Sequence, residues 1–167
     1  MNEIVKIGAQ AKAKDVEVTV ECSLFEFYNG AIKEVSFERS VVNENNDGSH
    51  AVQAEIKVEV KPGYSEKTTL RFPQLGHRTF GAHPSDLVIK FKLNEVNGGF
   101  SREGDDLVYH ENVTLLEALS PKPVSIKTLD GRTLNVTPNE LITPQTRLVV
   151  SNEGMPLAPS GELVIDT

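Results

Sequence analysis

The sequence predicts a mostly β fold built as two tandem β-sandwich-like, barrel-like lobes of one design, each carrying one short helix. Three observations predict it. Apolar and polar residues alternate with period two over most of the chain, two short segments that break the alternation carry helix-capping signals, and KTTLRFPQLG (67–76) is echoed later by QTRLVVSNEG (145–154).

The 167 residues suffice for one core or for two smaller ones, and 38% hydrophobic with 25% charged residues describes an ordinary globular chain. A net charge of -7 opposes nucleic-acid binding, which needs a surplus of Lys and Arg to neutralise phosphates. No apolar run reaches the roughly 18 residues that span a bilayer, and the start MNEIVKIGAQ lacks the apolar core of a secretory signal. A cytoplasmic chain without a membrane partner is expected. The lone Cys22 excludes an internal disulfide and a cysteine-built zinc site, and its place in VEVTVEC reads as a small buried hydrophobe.

Along the chain, residues 1–14 are small and polar without periodicity and read as a flexible tail. VEVTVEC (16–22), KEVSFER (33–39), AEIKVEV (54–60) and KTTLRF (67–72) alternate as half-buried strands do. NENNDG (43–48) reads as a hairpin loop and KPG (61–63) as a tight turn. SLFEFYNG (23–30) and TLLEALSP (114–121) each start on a hydroxyl residue, carry Glu three residues on, and close with Gly or Pro, as short capped helices do. Glu26 and Glu117 are therefore read as capping groups and not as catalytic carboxylates. VSIKTLDGRTLNV (124–136) reads as a hairpin, with Asp130-Gly131 expected in a type I′ turn.

A third correspondence, SDLVIKF (85–91) with GELVIDT (161–167), puts three matching segments in one order, so the chain is expected to divide into lobes 15–94 and 95–167, joined around NEVNGGFSREGDD (94–106). Leu24 to Leu70 spans 46 residues and Leu115 to Leu148 spans 33, so the first copy carries a longer hairpin.

Enzymatic signatures are missing from the sequence. The four His, at 50, 77, 83 and 110, have no HExxH spacing, and His77 and His83 read as solvated loop residues. No GxSxG elbow or phosphate-binding Gly loop occurs, and Asp105-Asp106 lacks the spaced ligands of a calcium loop. No catalysis, metal or cofactor is expected.

The ordered series KPGY, TTLRFPQLG, SDLVIKF, FSREGDDLVY, LLEAL, TLDGRTLNV, NEGMP and GELVI resembles the C-terminal substrate-binding region of DnaJ/Hsp40 co-chaperones over residues 15–167. The absence of CxxCxGxG repeats points to the type II (class B) branch, and no His-Pro-Asp tripeptide of a J domain is present. The resemblance implies a pair of β-sandwich-like lobes, the first with an apolar groove for extended peptides formed here by Val18, Val20, Val35, Phe37 and Ile89. The same five positions also fit a closed core. It further implies that Lys33 contacts the acidic C-terminal tail of Hsp70. Gln53 stands where a second Lys is common, and Arg39, Lys90 and Lys92 fit either compensation for it or protection of a strand edge against aggregation. The implied function is a co-chaperone module that holds unfolded or hydrophobic polypeptides and assists folding with Hsp70. The alternative is a structural adaptor with one dedicated peptide partner. Because the family's dimerising segment normally follows the GELVI-like strand, a monomeric fragment of a homodimeric parent is expected.

Overall fold

The structure is a computed structural model that describes residues 12–45, 47–94, 98–120, 122–156 and 161–167. The first repeat holds β1 (Val16–Cys22), α1 (Leu24–Asn29), β2 (Ala31–Val42), β3 (Ser49–Val60), β4 (Thr69–Phe72) and β5 (Leu87–Leu93). The second holds β6 (Phe100–Glu103), β7 (Asp106–His110), α2 (Leu115–Leu119), β8 (Val124–Lys127), β9 (Thr133–Val136), β10 (Arg147–Ser151) and β11 (Glu162–Asp166). The fold is mostly β, with sandwich-like lobes. Of the expected tail, residues 1–11 lie outside the described residues, while Lys12 forms a β-bridge with His83.

The chain forms two compact units. The first is built from the described parts of Met1–Glu21, Ile32–Val58 and Ser65–Lys92, and the second from those of Cys22–Ala31, Glu59–Tyr64 and Leu93–Thr167.

In the first unit one sheet has the strand order β1-β5-β4. Backbone bonds from Val16 N–H to Asp86 C=O (2.9 Å) and from Asn94 N–H to Cys22 C=O (2.8 Å) make β1 and β5 parallel. That register sets Val18 beside Ile89 and Val20 beside Phe91, while β4 runs antiparallel with Leu70 opposite Ile89. One face of β1 and β5 is apolar and buried through Val16, Val20, Leu87, Ile89 and Phe91. Glu17, Thr19, Glu21, Lys90 and Lys92 occupy the exposed face. The alternation seen in the sequence is thus a one-sided burial pattern, with Val88, on the face of Lys90, the buried exception.

The β2–β3 ribbon obeys the same rule. The Asn43 N–H to Gly48 C=O bond (2.9 Å) closes its loop, Lys57 Nζ lies 3.3 Å from Glu34, and Gln53 Nε2 donates to Glu38 (3.3 Å). All three contacts fit one register, which sets Val35 opposite Ile56 and Phe37 opposite Ala54.

In the second unit a four-stranded sheet has the order β10-β11-β7-β6. β11 is parallel to β7, with Leu163 opposite Leu107, and antiparallel to β10, with Ile165 opposite Leu148. Helix α1 packs on β6 and buries Leu24 and Phe27. Both helices start with the expected capping box. Ser23 Oγ accepts the Glu26 N–H at 3.3 Å while the Glu26 carboxylate accepts the Ser23 N–H at 2.8 Å, and Thr114 with Glu117 repeats this at 3.3 and 2.9 Å.

Two local expectations are corrected. The 124–136 hairpin does not turn through a type I′ pair, because Gly131 alone takes a positive φ (89°) and Asp130 does not. The Gly131 N–H donates to Thr128 C=O (3.0 Å) and the Thr128 N–H to Arg132 C=O (2.9 Å), the pattern of a three-residue turn closed by a left-handed Gly. The joining stretch is also shorter than expected. Residues 100–103 form β6 and pair with β7, and within 94–106 residues 95–97 lie outside the described residues.

Candidate functional site

β2, with 12 residues, borders an open edge in the first unit. On one side it pairs with β3; on the other, among the described residues, only an isolated bridge between Val41 and Arg78 touches it. Ser40 fixes the phase of that edge, since its N–H donates to His77 Nδ1 (3.0 Å) and its C=O accepts from the Arg78 N–H (2.8 Å). Ile32, Glu34, Ser36 and Glu38 share the phase of Ser40, so their N–H and C=O groups point away from β3. His77 therefore departs from the solvated-loop expectation: it is half-buried, and its Nδ1, accepting the Ser40 N–H, closes the end of the edge.

Lys33, Val35, Phe37 and Arg39 alternate with those edge residues along β2 and form its inward row. Val35 (7% exposed) and Phe37 (6%) are buried, as are Val20 (8%) and Ile89 (0%) in the other sheet of the unit. Val18 is half-buried. The five predicted groove positions thus lie on inward faces, with Val18 more accessible than the other four. Half-buried Ala54 and Ile56 lie opposite Phe37 and Val35 and belong to the same row; the alternation of AVQAEIKVEV carries that information.

The cations sort by face. Lys33 is half-buried and inward, at the start of the row. Gln53 lies on the outer face, donating to Glu38, so it does not share a face with Lys33. Lys90 is also on an outer face and is held by Glu17 at 3.0 Å, and Lys92 has the same parity. Arg39 alone of the three compensating candidates stands in the row with Val35 and Phe37, and its Nε is buried without a hydrogen-bond partner. The outer face of the ribbon is acidic, with Glu34, Glu38, Glu55 and Glu59 set against Lys57.

A charge cluster starts the other sheet. Asp86 is bonded by Lys12 Nζ (2.8 Å) and Arg71 (2.7 Å), and Arg71 also reaches Asp15 (2.8 Å). Lys12 and Arg71, with the Gln74 N–H, hold the Asp86 carboxyl well below the usual carboxylate range. Open depressions lie in the second unit, two of them beside the helices. One of about 550 Å³ is lined by Phe25, Phe100, Tyr109 and the 127–131 turn, and one of about 380 Å³ lies beside α2; neither contains a predicted groove residue. Among the described residues no helix is long and apolar enough to cross a membrane.

The family described as DnaJ C terminal domain matches residues 16–166. The chain is similar to DnaJ homolog subfamily B member 13 of Homo sapiens, at 31% identity over 90% of this chain and 47% of that protein. It is similar to DnaJ protein homolog 1 of Drosophila melanogaster, at 32% over 90% of this chain and 46% of that protein. Protein SIS1 of Saccharomyces cerevisiae matches at 26% over 84% of this chain and 39% of its own length. The chain therefore spans about half the length of the first two of these curated relatives, or less.

Proposed function

Because the chain belongs to the DnaJ C-terminal domain family, in its type II (subfamily B) branch, we propose that it is the substrate-binding region of an Hsp40 co-chaperone. It works in the cytoplasm by holding extended, hydrophobic segments of unfolded polypeptides, and it binds without chemical turnover. The observation that carries this reading is the open β2 edge beside an apolar inward row. An extended segment can complete that edge with backbone bonds, which give affinity without demanding sequence, while its alternate side chains meet Val35 and Phe37. Val18, Val20 and Ile89 extend the apolar surface within the same unit. The lobe of residues 15–94 does this binding, and that of residues 95–167 repeats its architecture. Hsp70 is the partner that receives the client, and Lys33, one step before Val35, takes a carboxylate of its acidic C-terminal tail.

A second reading keeps the same edge but gives it one dedicated peptide, as a structural adaptor within a larger assembly. Fluorescence-anisotropy titrations separate the two, using a panel of unrelated apolar peptides together with one ending Glu-Glu-Val-Asp. Phe37→Asp buries a charge and risks unfolding, so Val18→Glu, at the more accessible position, is the informative variant. The co-chaperone reading expects weak binding of several apolar peptides and a loss of about tenfold, near 1.4 kcal/mol, in the folded variant. Failure of the folded wild type to bind any of them sinks it, and tight binding of one alone favours the adaptor.

A further inference from the structure

Resting on the reading of β2 as a peptide-binding edge, we propose that Arg39 selects a carboxylate placed two residues from an apolar side chain of the bound peptide. Arg71, Arg102, Arg132 and Arg147 each donate to a carboxylate or a backbone carbonyl. Arg39 differs: its Nε–H is buried and unpaired, and among the described residues the side chain has no ion pair. A buried donor on a charged group is costly to leave unmade, so a partner supplied from outside the chain accounts for its persistence.

Its position defines that partner. Arg39 follows Phe37 by one inward step, and an extended peptide on the β2 edge sends alternate side chains to the same face. Apolar side chains then meet Val35 and Phe37, and the next residue of the same parity meets Arg39. A carboxylate there forms a charge-assisted bond that a neutral amide cannot match. Shifted by one residue it turns to the outer face, where Glu34 and Glu38 repel it. Lys33 at the opposite end of the row gives an inward pattern of cation, apolar, apolar, cation, and its complement is acid, apolar, apolar, acid at every second residue. Lys90 and Lys92 cannot serve, since both point from the outer face of β5.

The test uses blocked, labelled peptides that carry no terminal charge. Asp-Thr-Leu-Thr-Leu-Thr-Asp has the complementary pattern in either direction; a second peptide replaces both Asp by Asn, and a third, Thr-Asp-Leu-Thr-Leu-Asp-Thr, moves the acids to the other face. Wild type is expected to bind the first at least about tenfold (1.4 kcal/mol) more tightly than the other two. Arg39→Met should weaken the first peptide about tenfold while leaving the Asn peptide within about twofold, and Arg39→Lys should retain part of the preference. If Arg39→Met does not fold by circular dichroism, Arg39→Gln takes its place. A preference that survives in the variant, equal weakening of both peptides, or equal binding of Asp and Asn peptides by wild type each overturns the role of Arg39 and leaves the peptide-edge reading standing. If wild type binds none of the three, both ideas fall.

Discussion

The two repeats share their backbone closure and differ in their surfaces. β1 lies parallel to β5, the last strand of its repeat, as β7 does to β11, and each of these last strands lies antiparallel to the one before it. An Asp immediately before β1 and another at the start of β7 cap the final strand of each copy: Asp15 accepts the Asp86 N–H at 3.0 Å, and Asp106 accepts the Glu162 N–H at 2.9 Å. Gln74 and Asn152, both at φ 62°, turn the chain into Gly76 and Gly154, whose N–H groups donate to Ser85 and Gly161 C=O. The surfaces diverge. β2 and β3 have 12 residues each where β8 and β9 have 4, and α1 buries Leu24 and Phe27 where α2 buries nothing. A 4-residue strand spans only about 14 Å, shorter than a seven-residue extended peptide of about 24 Å, so the long ribbon is what sets the first copy apart.

The helices offer the largest contrast. Leu24 and Leu115 are equivalent in sequence, yet one is 0% and the other 76% exposed. Leu24→Ala should cost about 2–5 kcal/mol by opening a cavity, while Leu115→Ala should stay within about 0.5 kcal/mol. Urea unfolding of both variants checks this, and similar losses would mean that α2 is covered in solution. The shared glycines come next. A methyl at Gly76 would stand 2.7 Å from Asp86 O and one at Gly154 2.6 Å from Asp105 O, both backbone atoms. Gly76→Ala and Gly154→Ala should each lose about 1–3 kcal/mol or more, and a neutral result at either site would show that its closure can relax. Smaller still are the caps. Ser23→Ala should lower global stability by about 1 kcal/mol, whereas Thr114→Ala, on a helix that buries nothing, should only speed amide exchange within α2.

Much of this contrast was legible in the sequence, for reasons that are local. One-sided burial writes itself as alternation, so β1 occupies the run VEVTVEC to the residue, and a capping box needs only four residues to declare itself. The rest depends on partners distant in the chain. The turn at 129–131 is selected by the pairing of Thr128 with Arg132, and not by the Asp-Gly pair alone. β6 is four residues inside a Gly-rich charged stretch and becomes a strand because β7 lies beside it. The apolar row of β2 could be read by parity, and so could the outer placement of Gln53. That the Arg39 Nε is buried without a hydrogen-bond partner could not, since it depends on everything packed around it.

The smallest expected effect concerns acid. Position 71, an Arg in the first repeat, corresponds to exposed Val149 in the second, so the cluster of Lys12, Asp15, Arg71 and Asp86 belongs to one copy only. Bonds from Lys12 and Arg71 depress the Asp86 carboxyl, and the bond from the Asp86 N–H, with help from Arg71, depresses that of Asp15. A folded-state pKa below the unfolded value of about 3.9 means that the unfolded chain binds protons first as the solution is acidified. The stabilisation from these carboxylates is therefore complete above about pH 5 and drains away as pH falls through 3.9 toward the depressed values. Arg71→Val, which copies the second repeat, should flatten that decline in urea unfolding from about pH 6 to about pH 2, while changing the slope little at neutral pH. Parallel curves for variant and wild type would place the acid sensitivity elsewhere and leave the cluster as an ornament of the first repeat.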